Sequence, residues 1–191
     1  MLARARTLAP YEGRQFAEEL LGVPALVEQV LSNPGPIGEL VDWVKDCKMA
    51  LFLGRGLSAA VAAEGALKLM EVAYIPCLAY PSGEMKHGPI ALIDDDMPVV
   101  VLAPRDPVYQ KVVSNIEEMK ARHARLIAVV SDDAPELQGR VDHLIRVPQT
   151  IPALLPVLTT VPLQLLAYHM AVQRGADVDQ PRNLAKSVTV E

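Results

Sequence analysis

The sequence predicts an α/β fold: a doubly wound, mostly parallel five-stranded sheet with helices on both faces, followed by an irregular C-terminal tail. Two observations carry this. Continuous apolar runs at Met49–Leu53, Tyr74–Tyr80, Pro98–Ala103, Leu126–Ser131 and His143–Val147 alternate with helical patterns, and strands buried on both faces of a parallel sheet read as such unbroken runs. The first run leads directly into Gly54-Arg55-Gly56 and then a helix. That is the setting in which doubly wound sheets bind ligands, beyond the carboxyl ends of their strands.

Taken in order, Phe16, Leu20, Leu21, Val23, Val27, Val30 and Leu31 mark an amphipathic helix from Tyr11 to Leu31, with Gly22 and Pro24 as weak points. Asn33-Pro-Gly-Pro36 breaks it, and Ile37, Leu40, Val41 and Val44 begin a second helix. Residues 1–46 read as a packing segment and linker, 47–174 as the main domain and 175–191 as a separate tail. After the first strand, Gly54-Arg-Gly56 lacks the third glycine of a dinucleotide fingerprint, since position 59 is Ala. Ser58 is the expected N-cap of the helix that follows. Val112, Val113, Ile116 and Met119 define one side of a helix over Val108–His123, and Val161–Val172 is a strongly apolar helix. Pro162 is expected in the first turn of that helix and Gly175 at its end.

Composition narrows the function classes. A formal charge of −5 over 191 residues gives no basic footprint, so neither nucleic acid nor an anionic membrane surface is an expected partner. Cys47 and Cys77 lie in or beside apolar runs without CxxC spacing, which reads as free thiols in a reducing compartment, with no disulfide and no metal site. No secretory leader is recognisable, and the apolar stretches read as too short or too interrupted to span a bilayer. A cytoplasmic protein is the expectation.

At about 100° per residue, Lys68 and Glu71 fall at about 40° and about −20° from Glu64, so three ionisable side chains share one stripe of a helix that is otherwise apolar nearly all round. Such a helix is expected to be buried, so its charges must pair internally or face a wet cavity. The plain alternative is an ordinary Glu64–Lys68 surface pair. Pro81-Ser-Gly-Glu-Met-Lys-His-Gly-Pro89 reads as a loop too polar for the core, and its His87 has the one side chain there that titrates near neutrality. A surface histidine without a role is the alternative. His123 reads as a helix-terminal residue, while His143 and His169 stand in apolar sequence; all three read as structural.

Several separated strings fit one family. Gly54-Arg-Gly56, Glu64-Gly-Ala-Leu-Lys-Leu-Met-Glu71, Gly83-Glu-Met-Lys-His-Gly-Pro89, Thr160-Val-Pro-Leu-Gln-Leu-Leu-Ala-Tyr168 and Asp179-Gln-Pro-Arg-Asn-Leu-Ala-Lys-Ser-Val-Thr-Val-Glu191 closely resemble the C-terminal sugar isomerase (SIS) domain and tail of the glucosamine-6-phosphate synthase family. The resemblance covers nearly the whole chain and implies a flavodoxin-like SIS fold. It corresponds to the last third of such an enzyme, which implies that Met1 begins a piece of a longer protein.

The implied reaction makes glucosamine 6-phosphate from fructose 6-phosphate and glutamine-derived ammonia, without a cofactor. Lys186 matches the tail lysine that forms a Schiff base with the open-chain ketose. Glu71 matches the carboxylate that moves a proton between C1 and C2, and His87 the ring-opening acid–base supplied by a neighbouring subunit. Glu64 and Lys68 match the supporting relay. The amine must be neutral to react, which calls for burial or a cationic neighbour such as Lys68. The implied partners are a sugar phosphate, the first SIS and glutaminase domains, and a second copy in a homodimer. Ala103-Pro-Arg-Asp-Pro107 lacks the hydroxyls of the family's phosphate loop, which lies in the first SIS domain. Two other readings stand beside this one: a different SIS phosphosugar isomerase or deglycase, and a non-catalytic sugar-phosphate-binding regulatory module.

Overall fold

In the computed structural model, which describes residues 9–184, five parallel strands form one sheet in the order β2-β1-β3-β4-β5. They are β1 (Ala50–Gly54), β2 (Cys77–Pro81), β3 (Pro98–Ala103), β4 (Arg125–Ser131) and β5 (His143–Val147). Alternate residues of each strand face opposite ways, so the sheet has two cores. Phe52, Val100, Leu102, Ile127, Val129 and Ile145 face one core, together with α2 (Ile37–Val44), α3 (Leu57–Ala73) and α5 (Leu155–Gln173). Leu51, Leu53, Val99, Val101, Ala128 and Val130 face the other, which is covered by α4 (Tyr109–Lys120). The first helix, α1 (Pro10–Ser32), contributes Val30 to the α2–α3–α5 side. The chain order crosses over between β1 and β3, and this is the switch point of the sheet.

Several elements depart from the sequence reading. Helix α1 runs unbroken through Gly22 and Pro24. Ser58 is not the cap of α3: Gly56 occupies that position at φ 59°, ψ −129°, a backbone conformation suited to glycine, and Ser58 is buried one turn position inside. β2 starts at Cys77 rather than Tyr74, because Tyr74 caps α3 in the left-handed conformation. α5 begins at Leu155, so Pro162 lies inside the helix; Pro156 takes the first-turn position, where its missing N–H costs no helical bond. α5 also has the length and mean hydropathy, 1.4, of a membrane span, against the expectation that no stretch would qualify. Here it is a core helix: Leu158, Leu163 and Met170 are buried, and it packs on α3.

Three further expectations are corrected. The segment after β2 is not an outlying loop: Ser82–His87 forms a 3₁₀ turn that buries Met85 and Ser82 completely. His169 is exposed beside Tyr168 rather than set among apolar groups. Cys77 is half-buried, where burial was expected. Both cysteines are free; burial pushes the Cys47 thiol up and the Cys77 thiol up to about 12.

Candidate active site

Helix α3 packs against both β1 and its neighbour α5 on one face of the sheet, and Gly65 permits the close approach. A methyl group there would sit 2.5 Å from Leu163 Cδ1 and 3.1 Å from Phe52 Cε1. The opposite side of α3 is not buried as expected, since Leu57, Leu67 and Met70 are exposed. The charged stripe stands at the edge of that open side. Lys68 Nζ donates to Glu71 Oε2 at 2.5 Å and lies 3.7 Å from Glu64 Oε1. Helical spacing thus brings all three together, with Lys68 bridging two carboxylates. The hydrogen bond to Glu71 holds Lys68 above the ordinary lysine range, outweighing the opposing effect of burial, so this group is a standing cation.

Glu71 also lines an open groove of about 480 Å³ with Leu67, Met70, Tyr74 and the tail residues Arg182–Leu184. The tail is moored there. Tyr74 Oη accepts the Arg182 backbone N–H at 2.9 Å, and the Arg182 guanidinium lies 4.0 Å from the Tyr74 ring centroid. Sequence reasoning did not single out either residue, because they are 108 positions apart and neither carries a titration or metal signal. Lys186 lies outside the described residues.

His87 is exposed at the end of the 3₁₀ turn after β2. Glu71 lies on α3, before β2, and His87 follows β2; Glu71 is bonded to Lys68, and His87 is not among the residues lining the Glu71 groove.

The switch point carries a different arrangement. Arg105, just beyond β3, is held by both carboxylate oxygens of Glu136 at 2.8 and 3.0 Å and by Asp133 Oδ2 at 3.3 Å. Its backbone N–H donates to Ser131 Oγ at 2.9 Å. Arg105 is therefore neutralised by its own chain, while Arg55 stands in the glycine turn itself, with its guanidinium beside Gly83. Glu136 is kept below the usual carboxylate range, chiefly by its own backbone N–H and with help from Tyr109 and Arg105. Burial and the neighbouring Glu136 push the Tyr109 phenol up to about 12.

A parallel sheet in this order is a doubly wound, flavodoxin-like α/β domain. The family model described as "SIS domain" matches residues 44–174, and the chain belongs to that family. More particularly, it is 50% identical over 190 residues to the glutamine–fructose-6-phosphate aminotransferase [isomerizing] of Chlorobaculum tepidum, covering 100% of this chain and 31% of that protein. It is likewise 50% identical over 189 residues to the enzyme of that name from Thermus thermophilus, covering 98% of this chain and 31% of the relative. The C-terminal domain of glucosamine-fructose-6-phosphate aminotransferase from Francisella tularensis superimposes with a TM-score of 0.84 at 40% identity, covering 91% of this chain and 49% of that one. The chain thus spans about a third of the length of the curated relatives it matches.

Proposed function

We propose that this chain is the isomerase part of a glutamine–fructose-6-phosphate aminotransferase, acting on fructose 6-phosphate and ammonia within a longer polypeptide. The observation that carries the reading is the groove in which Glu71, fixed by Lys68, meets the root of the tail. Lys186 follows Leu184 by two residues, so chain connectivity keeps it within about 7 Å, Cα to Cα, of a residue lining that groove.

In this reading the neutral Lys186 amine attacks C2 of the open-chain ketose, and water leaves as the imine forms. Ammonia replaces the lysine. Glu71 then takes a proton from C1 and returns it to C2, which converts the fructosimine to the aldose amine. Lys68, protonated throughout, holds the Glu71 carboxylate in place through the 2.5 Å hydrogen bond, completed by Glu64. The same fixed positive charge favours the neutral form of a nearby amine.

His87 assists ring opening from a second copy of the chain. Its absence from the lining of the Glu71 groove, together with its exposure, supports a site shared across a homodimer. The missing hydroxyls of Ala103-Pro-Arg-Asp-Pro107 support a sugar phosphate held by another domain of the polypeptide. Two free cysteines fit a cytoplasmic location.

The test is borohydride reduction of the complete polypeptide in the presence of fructose 6-phosphate, followed by peptide mapping. Label on Lys186 is expected; label found elsewhere and not on Lys186 refutes the Schiff-base assignment.

A further inference from the structure

The residue that ends α3 is an unusual choice. Tyr74 adopts φ 57°, ψ 35°, a conformation that helix ends normally assign to glycine or asparagine. Strain at a bulky residue points to a role for its side chain. What the tyrosine supplies is a hold on the tail. Its hydroxyl accepts the Arg182 amide at 2.9 Å, while its ring carries the Arg182 guanidinium at 4.0 Å. One tail residue is thus gripped by main chain and side chain together, on the lip of the groove that contains Glu71.

We propose that Tyr74 and Arg182 form a clamp that positions the C-terminal tail, and with it Lys186, against Glu71. The clamp is a positioning device for the chemistry proposed above and rests on that reading. Tether length gives its size. Val178, which packs on the core, stands eight residues before Lys186, whereas Arg182 lies four residues before it. Local concentration at the end of a tether falls roughly as the −3/2 power of its length, so anchoring at Arg182 raises that of Lys186 about threefold.

The test compares Tyr74→Asn and Tyr74→Phe in the complete polypeptide. Asparagine suits the left-handed conformation but removes both contacts; phenylalanine removes the hydrogen bond alone. For Tyr74→Asn we expect an unfolding temperature equal to the wild type or higher. Hydrogen exchange at the Arg182 amide should become at least about tenfold faster, and kcat for isomerisation should fall about threefold with the rate of glutamine hydrolysis unchanged. Tyr74→Phe should speed Arg182 exchange and keep more of the kcat. Unchanged Arg182 exchange in Tyr74→Asn overturns the clamp, as does faster exchange with full kcat. A general rise in exchange along α3 with a lower unfolding temperature also overturns it, because that marks a purely structural tyrosine. Arg182 exchange is read without turnover, so failure of the clamp is distinguishable from failure of the Lys186 assignment, which borohydride labelling decides.

Discussion

Replacing Gly65 by alanine should destabilise this protein, although the same change in an exposed helix would stabilise it by about 1 kcal/mol. The new methyl would meet Leu163 Cδ1 at 2.5 Å and the Phe52 ring at 3.1 and 3.2 Å, whereas carbon atoms pack comfortably at about 3.5–4.0 Å. Leu163 must therefore retreat by about 1 Å, yet it and Phe52 are each only 1% exposed and have nowhere to go. Overpacking of this kind costs about 1–3 kcal/mol. With obstacles on two sides the upper part of that range applies, leaving a net loss of about 1–2 kcal/mol after the helix gain is subtracted.

Equilibrium urea unfolding reads this as a lower midpoint with an unchanged slope. Leu163→Ala alone should cost about 2–5 kcal/mol. In that background Gly65→Ala should become neutral or stabilising, because the methyl fills part of the space vacated, giving a coupling of about 2 kcal/mol. A Gly65→Ala protein more stable than wild type, with effects additive with Leu163→Ala, would refute the close-packing argument. The point bears on activity because α3 carries Glu64, Lys68 and Glu71, and any shift of the helix shifts all three.

Glu71→Gln in the complete polypeptide should reduce C1–C2 proton exchange by about 10²–10⁴-fold while glutamine still releases ammonia; solvent-deuterium incorporation measures the first, and unchanged incorporation ends the assignment. Inactive His87→Ala and Lys186→Ala polypeptides, mixed and re-associated, should regain activity in hybrid dimers, and verified hybrids that stay inactive would exclude a shared site. The lowered pKa of Glu136 stabilises the fold above the ordinary value of 4.5 and is lost as the pH falls below it, so Glu136→Gln should flatten acid unfolding in that window. The raised pKa of Lys68 acts in the opposite direction: its contribution is complete below 10.5 and disappears above it, so Lys68→Met should lessen alkaline loss of stability measured by denaturant midpoint.

Much of the fold was legible because buried parallel strands announce themselves locally. Pro98–Ala103 and His143–Val147 match β3 and β5 residue for residue, each an apolar run with no competing signal. Most of the misreadings arise where two local signals compete, and one where tertiary packing overrides a polar string. Tyr74–Pro76 looks strand-like but closes α3, and Ser58 looks like a cap although the glycine two residues earlier alone suits the required backbone. Pro162 reads as a first-turn residue but lies inside α5, which starts at Leu155, while Met85 sits in a polar string and yet plugs the second core.

The site divides in the same way. The sequence by itself determined that Glu64, Lys68 and Glu71 stand together, since a helix repeats every 3.6 residues and needs no partner to do so. It also determined the alternation of strands and helices. Only the tertiary structure decided that this stripe borders an open groove and that Tyr74 holds Arg182 there. The physical reason is range: backbone periodicity acts between residues a few positions apart, whereas a contact across 108 positions exists only once packing of the whole chain has brought its ends together.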